Sequence, residues 1–331
     1  MPYPPADPGH PPLGSEFLPR TIRWPEEIRR VPPPYRKFHH RWWVHIVLFL
    51  LTLLLTTAVG ALHYLSFISE FGRRPVPLTW GSMVDGLWYS LTLLGILGAH
   101  EFGHYYFCRR YNVDASLPYF IPAPLPLTGT LGAVIKIRES FPNRTILFDI
   151  GVGGPIAGFI VLVPALFLGM SMSHVVPMPT GSSVFYLGEP LLFQWVAALN
   201  FGTLSDKVTI NIHPMVFAAW FGMLATALNL LPFGQLDGGH ITYATLRRWS
   251  TPISLATVGS AIAMTYNSTS WLFMTVMMVA MLVLLGPRHP RVIWEDEPMP
   301  TSRYVVAVLA LVIFIICFTP VPIDTLIDSK H

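Results

Sequence analysis

Seven apolar runs mark the chain, at residues 44–65, 86–108, 147–170, 213–232, 252–267, 270–287 and 303–319. The first three are long enough to cross a bilayer as helices, which takes about 20 residues. Between 252 and 287 the apolar pattern is broken only by Tyr266-Asn267-Ser268-Thr269-Ser270, a cluster suited to a tight turn. That break predicts two short spans there and seven in all. Six spans is the alternative, with 252–287 merged into one.

Charge placement favours seven. With the N-terminus cytoplasmic, 17 of the 21 Lys and Arg residues fall in inner segments and 4 in outer ones, a positive-inside bias. Merging 252–287 would move the basic residues of 288–303 outside. The same orientation puts the C-terminal end of the 86–108 run toward the cytoplasm.

The connecting segments carry their own patterns. Pro118, Pro122, Pro124 and Pro126 keep Leu117–Leu127 extended. Gly129–Ile137 is apolar and β-branched after a glycine start and predicts a strand. Such a strand can hold an extended peptide by main-chain hydrogen bonds, or it can be a plain interfacial hairpin. Gly151-Val-Gly153-Gly154-Pro155-Ile-Ala-Gly158 spaces small residues so that a neighbouring helix can approach closely. In segment 171–212, Leu191, Phe193 and Trp195 around Gln194 predict an interfacial helix. Its 42 residues are too few for a PDZ-sized domain. The expected fold is an all-α polytopic membrane protein with a small membrane-associated β element.

Composition agrees. Hydrophobic residues make up 52% and charged residues 12%, with a mean hydropathy of +0.51; soluble domains carry about twice that charge. Residues 1–43 hold 11 of the 32 prolines, which forbids regular structure and predicts a disordered cytoplasmic tail. The first apolar run starts too late and is too long for a signal peptide. Cys108 and Cys317 provide neither a disulfide framework nor a Cys-rich zinc site. No basic run with interleaved aromatics points to nucleic acid. The organisation expected is a tail over 1–43, a transmembrane domain over 44–319 and a short tail over 320–331.

The chemistry sits at His100-Glu101-Phe102-Gly103-His104. On a helix the two histidines share one face, about 6 Å apart along the axis. Two imidazoles there can hold a Zn²⁺, and the glutamate between them can take a proton from a water. Ionisable groups in an apolar span are costly, which marks them as functional candidates. The run 213–232 continues into Asn229-Leu-Leu-Pro232-Phe-Gly-Gln-Leu-Asp237-Gly238-Gly239-His240. Asp237 is the candidate third ligand, and the charge signs put it on the same side as His104. Pro232 and the two glycines break the helix so that the carboxylate can turn inward. His240 is the alternative ligand, or a hydrogen-bond partner of the site.

These two stretches together resemble the site-2 protease family of intramembrane zinc metalloproteases, whose signatures are HExxH and N-x-x-P-x-x-x-x-D-G. Gly154-Pro155-Ile-Ala-Gly158 matches a further family feature, and the likeness covers residues 86–245. Leu117–Pro122, Gly129–Ile137 and Asn143–Ile150 are similar to a branch with chloroplast members and bacterial counterparts.

The resemblance implies peptide-bond hydrolysis within transmembrane segments of membrane proteins. Zinc would be held by His100, His104 and Asp237. Glu101 would activate the water and later protonate the leaving amine. Asn229 would donate to the substrate carbonyl. The partners implied are a transmembrane protein substrate and the lipid bilayer, in a multi-pass protein of a bacterial inner membrane. Two departures stand: no PDZ domain fits at 171–212, and only 12 residues follow the last span. A metal-binding carrier would not need Glu101, and an inactive scaffold would not keep every chemical position. Other integral-membrane metalloproteases use a downstream E-x-x-x-[DN] helix, and that pattern does not occur here.

Overall fold

The computed structural model describes residues 41–325, apart from 78, 139, 180–184, 267, 287 and 288. The tail expected over 1–43 therefore lies, but for its last three residues, outside the described residues. Each of the seven apolar runs forms a helix: α1 (Trp42–Ile68), α3 (Leu87–Arg110), α4 (Arg144–Ser171), α6 (Pro214–Asn229), α8 (Ser250–Met264), α9 (Ser270–Leu285) and α10 (Thr301–Cys317). Three shorter helices join them: α2 (Trp80–Asp85), α5 (Leu191–Phe201) and α7 (Asp237–Leu246). Among the described residues, three helical stretches are long and apolar enough to cross a membrane: Trp42–Ile68, Trp80–Arg110 and Arg144–Ser171. The break expected near 266–270 is present, since α8 ends at Met264 and α9 starts at Ser270.

The chain is not all helix outside one β element. Among the described residues it has three two-stranded antiparallel sheets. One contains the expected strand: β2 (Thr130–Val134) pairs with β1 (Tyr119–Pro122) of the extended segment before it. The other two were not legible: β3 (His174–Pro177) pairs with β5 (Val208–Asn211), and β4 (Phe185–Leu187) with β6 (Ile323–Thr325). Strands of three and four residues carry too little alternation to stand out. The expected helix around Gln194 is α5, and part of the C-terminal tail is strand β6 rather than a bare extension.

The hairpin runs along α1 rather than across its end. His45 Nδ1 donates to the Pro118 carbonyl at 3.0 Å, and His63 Nε2 to the Leu127 carbonyl at 3.0 Å. Those histidines are 18 residues apart on one helix, about 27 Å of rise. At the tip, Tyr89 of α3 also donates to the Leu127 carbonyl, at 3.1 Å. A segment at that depth must satisfy its backbone internally. The four prolines remove N–H donors, strand pairing and Thr130 Oγ1, 2.8 Å from the Ile121 carbonyl, take up other groups, and Gly129 (φ +72°) presses on the backbone at Leu55 and Thr56. Any side chain on Gly129 would meet Thr56 Cα at 2.9 Å.

The core lies where α3, α4 and α6 cross, with Ile96, Phe148, Leu162, Leu166, Met170, Trp220 and Met223 closed over by Ala310, Ile313 and Cys317 of α10. At one end of the bundle, Trp220 Nε1 donates to Gly188 O at 2.7 Å. At the same end, Trp271 Nε1 donates to Pro320 O at 2.6 Å, so the start of α9 meets the end of α10. At the opposite end, the amides of Ile293 and Trp294 donate to the Phe141 and Pro142 carbonyls. Arg144 there reaches the carbonyls of Ala244, Glu295 and Glu297.

Candidate metal centre

Helix α3 runs unbroken through the HExxH stretch, so His100 and His104 stand one turn apart on the face that meets α4. That approach depends on small residues. A Cβ on Gly154 would collide with the Nε2 edge of the His104 ring, one on Gly158 would sit 3.2 Å from His100 Cβ, and one on Gly103 would collide with the Gly153 carbonyl. The glycine pattern of α4 is therefore more than a generic packing stripe, because it makes the space that the imidazoles fill.

His104 donates Nδ1–H to the Ile150 carbonyl at 2.7 Å. That bond leaves its Nε2 with a bare lone pair, the form in which imidazole ligates metals. Asp237 reaches the same point from the first position of α7. The connection from α6 folds back tightly there: a Cβ on Gly238 would strike the Leu230 carbonyl, and one on Gly239 the Gly234 carbonyl.

The three donor atoms form a nearly equilateral triangle. His100 Nε2 to Asp237 Oδ2 is 3.1 Å, His104 Nε2 to Asp237 Oδ2 is 3.3 Å, and the two Nε2 atoms are 3.1 Å apart. Zinc bonds of 2.0–2.1 Å in a tetrahedron set neighbouring donors about 3.3 Å apart. The residues present thus fit zinc in donor type, count and spacing. Among the described residues, no other group of three His, Cys, Asp or Glu side chains converges in this way.

Two further residues of the motifs border the triangle. Asn229, the last residue of α6, places Nδ2 3.3 Å from His100 Nε2. Glu101 is 7% exposed, and the backbone at Ile135, just beyond β2, lies beside its carboxylate. The hairpin therefore touches the acid of the HExxH stretch directly. On the outer face of the same helix, Phe102 and Tyr106 are exposed.

His240 stands apart from the triangle. Its Nδ1 lies 2.7 Å from Nε2 of His289, whose own Nδ1 donates to the Pro290 carbonyl at 2.6 Å. His289 Nε2 is therefore the acceptor and His240 the donor. The His289 ring stacks on Tyr243 at 4.4 Å, and burial lowers its pKa. His289 lies in a segment without any spacing signal, so nothing in the sequence pairs it with His240.

A second missed group is Asp149, 6% exposed on α4 next to Ile150. It accepts from the Tyr111 hydroxyl at 2.5 Å and from Arg303 Nε and NH2 at 3.1 and 2.9 Å. An acid inside an apolar run was a visible signal; its cation on α10 was not.

Comparison with known proteins bears on the whole arrangement. The family model described as peptidase family M50 matches residues 88–269. The probable zinc metalloprotease EGY2, chloroplastic, of rice (subspecies indica) is 29% identical over 248 residues, 72% of this chain and 44% of that protein. The Arabidopsis thaliana protein of the same name is 28% identical over 244 residues, 72% of this chain and 42% of that protein. The probable zinc metalloprotease EGY1, chloroplastic, of Arabidopsis thaliana is 36% identical over 156 residues, 45% of this chain and 27% of that protein. The chain thus spans less than half the length of these relatives. No solved structure matches it. With the family model covering more than half of the residues, this chain belongs to peptidase family M50, the site-2 protease family.

Proposed function

We propose that this protein is an integral-membrane zinc metalloprotease that hydrolyses peptide bonds within the membrane-spanning segments of other proteins. The observation that carries this reading is the triangle of His100 Nε2, His104 Nε2 and Asp237 Oδ2, with edges of 3.1–3.3 Å. It lies well inside α3: His104 is six residues from the helix end at Arg110, about 9 Å.

His100, His104 and Asp237 would hold the zinc. When bound, zinc lowers the pKa of a water and polarises the scissile carbonyl. Glu101 takes the proton from the attacking water and delivers it to the leaving amide nitrogen. Asn229 Nδ2 donates to the carbonyl oxygen as negative charge builds there. The outer edge of β2 is unpaired among the described residues and carries exposed Leu131 and Val134. It pairs with an unwound substrate strand, which in lipid must satisfy its backbone on protein.

Seven crossings are the reading we carry forward. The α8–α9 pair starts and ends at the end of the bundle where Trp294 meets Pro142, and its turn lies at the other end, where Trp271 meets Pro320. Both helices then cross, as does α10. The pairing of β6 with β4 fits that odd count, because it needs the C-terminal strand on the side of segment 171–212. The charge bias orients the N-terminus to the cytoplasm, in a bacterial inner membrane on this reading.

The test is cleavage, by purified protein, of a single-span substrate whose helix is weakened at one site. Cleavage by the wild type, with loss on zinc chelation and in Glu101→Gln, is expected. Cleavage that survives both would overturn the reading.

A further inference from the structure

At the base of α8 lies a cavity of about 580 Å³ that the metal centre does not use. It opens between the end of α7, the 3-10 turn Arg247–Trp249 and the segment around 289–295. Three arginines line it, Arg247, Arg248 and Arg291, together with the hydroxyl-bearing Ser250 and Thr251. Among the described residues its one carboxylate is Glu295, which is engaged: Oε1 lies 3.5 Å from Arg247 Nε and accepts from the Tyr243 hydroxyl at 3.2 Å. Arg247 also donates to Asp296 at 2.9 Å, which uses up its charge.

Arg248 and Arg291 differ. Among the described residues, neither has a carboxylate within ion-pair distance. They come from segments 43 residues apart in sequence, so a local basic run does not account for their meeting at one cavity. The chain also accepts strain here: Arg247 sits at φ +39°, a backbone conformation side-chain-bearing residues rarely adopt.

We infer that this cavity binds a phosphate-bearing group, the headgroup of an anionic lipid or a free phosphate compound, through the guanidiniums of Arg248 and Arg291. Planar guanidinium forks match phosphate oxygens in pairs, and the neighbouring hydroxyls can donate to the remaining ones. Arg248 lies 5.9 Å from the centre of the Trp249 ring, and Trp249 and Leu246 are exposed beside the opening. An exposed tryptophan with a cation over it suits the headgroup level of a bilayer. His289 lines the same cavity and accepts from His240, three residues from Asp237, so an occupant would touch the helix that carries the third donor. Only the lipid source rests on the proposed membrane reading of α8; the phosphate chemistry does not.

Native mass spectrometry of the full chain, released from nanodiscs of phosphatidylcholine with or without phosphatidylglycerol, tests it. The wild type is expected to retain phosphatidylglycerol preferentially, and Arg248→Gln/Arg291→Gln to lose about tenfold of that retention. Arg109→Gln/Arg110→Gln removes the same charge elsewhere on the same side and should leave retention unchanged. A second arm adds inorganic phosphate or ADP to protein in pure phosphatidylcholine discs. Binding there that depends on Arg248 and Arg291, without lipid preference, supports the site with a soluble source. No retention of either probe, or equal loss in the Arg109/Arg110 variant, overturns it. Zinc content and substrate cleavage are read on the same samples, so that failure of the protease reading is seen separately.

Discussion

His104 donates Nδ1–H to the main-chain carbonyl of Ile150 at 2.7 Å, across the contact between α3 and α4. The bond fixes both the tautomer and the tilt of the ring, so α4 decides where the His104 lone pair points.

Gly154→Ala drives a methyl group against the Nε2 edge of the His104 ring. The ring must leave its position, so zinc affinity should fall by about 10–100-fold, as it does when a histidine ligand loses its orienting partner. Helix content by circular dichroism should stay near wild type. Unchanged affinity, measured by competition with a chelator, would contradict this geometry.

Asp237→Ala should abolish stoichiometric zinc binding, because two neutral imidazoles leave the dication without charge compensation. His240→Ala should keep the metal, since its ring bonds to His289 and lies outside the triangle. Metal analysis of the two purified variants distinguishes these roles, and the reverse result would make His240 the ligand.

Glu101→Gln is nearly isosteric and should preserve zinc content and fold. Loss of the general base should lower turnover by ~10²–10⁴-fold, and by more where the same residue also protonates the leaving group. Single-turnover cleavage of a helix-weakened substrate checks this, and near-normal turnover in a zinc-replete sample would shift the weight to a metal-binding carrier.

Arg303→Met leaves Asp149 buried with only the Tyr111 hydroxyl for company. Breaking a buried pair typically costs ~3–5 kcal/mol. The Arg303 side chain is 32% exposed, which puts the expected loss near the low end, about 3 kcal/mol. Arg303→Lys keeps the charge but not the two-pronged bond and should recover part of it. Thermal unfolding in detergent measures both, and an unshifted midpoint in Arg303→Met would show that the pair contributes nothing.

Topology is tested by single cysteines in a background without Cys108 and Cys317. Ser205→Cys should react with an impermeant reagent from outside intact cells and Asp296→Cys only after permeabilisation. Labelling of Asp296→Cys from outside with Ser205→Cys protected would reverse the orientation, and labelling of both from outside would merge 252–287 into one span, the six-span alternative.

Much of the local chemistry was legible in sequence. The apolar runs marked the helices because a bilayer-length segment must satisfy its own backbone. HExxH put two imidazoles on one face because residues four apart on a helix are neighbours. The proline and glycines after Asn229 marked a helix break ahead of Asp237. What the linear pattern could not supply was everything set by contact between distant segments. The depth of the hairpin depends on His45 and His63 of α1 reaching Pro118 and Leu127. The partner of His240 is 49 residues downstream, and that of Asp149 is 154 residues downstream, each in a stretch with no motif of its own. Periodicity and spacing record what one helix face or one turn requires. Which face meets which, how deep a loop inserts and which buried charge finds a counter-charge are decided only when the helices pack, because those energies exist between elements and not within any of them.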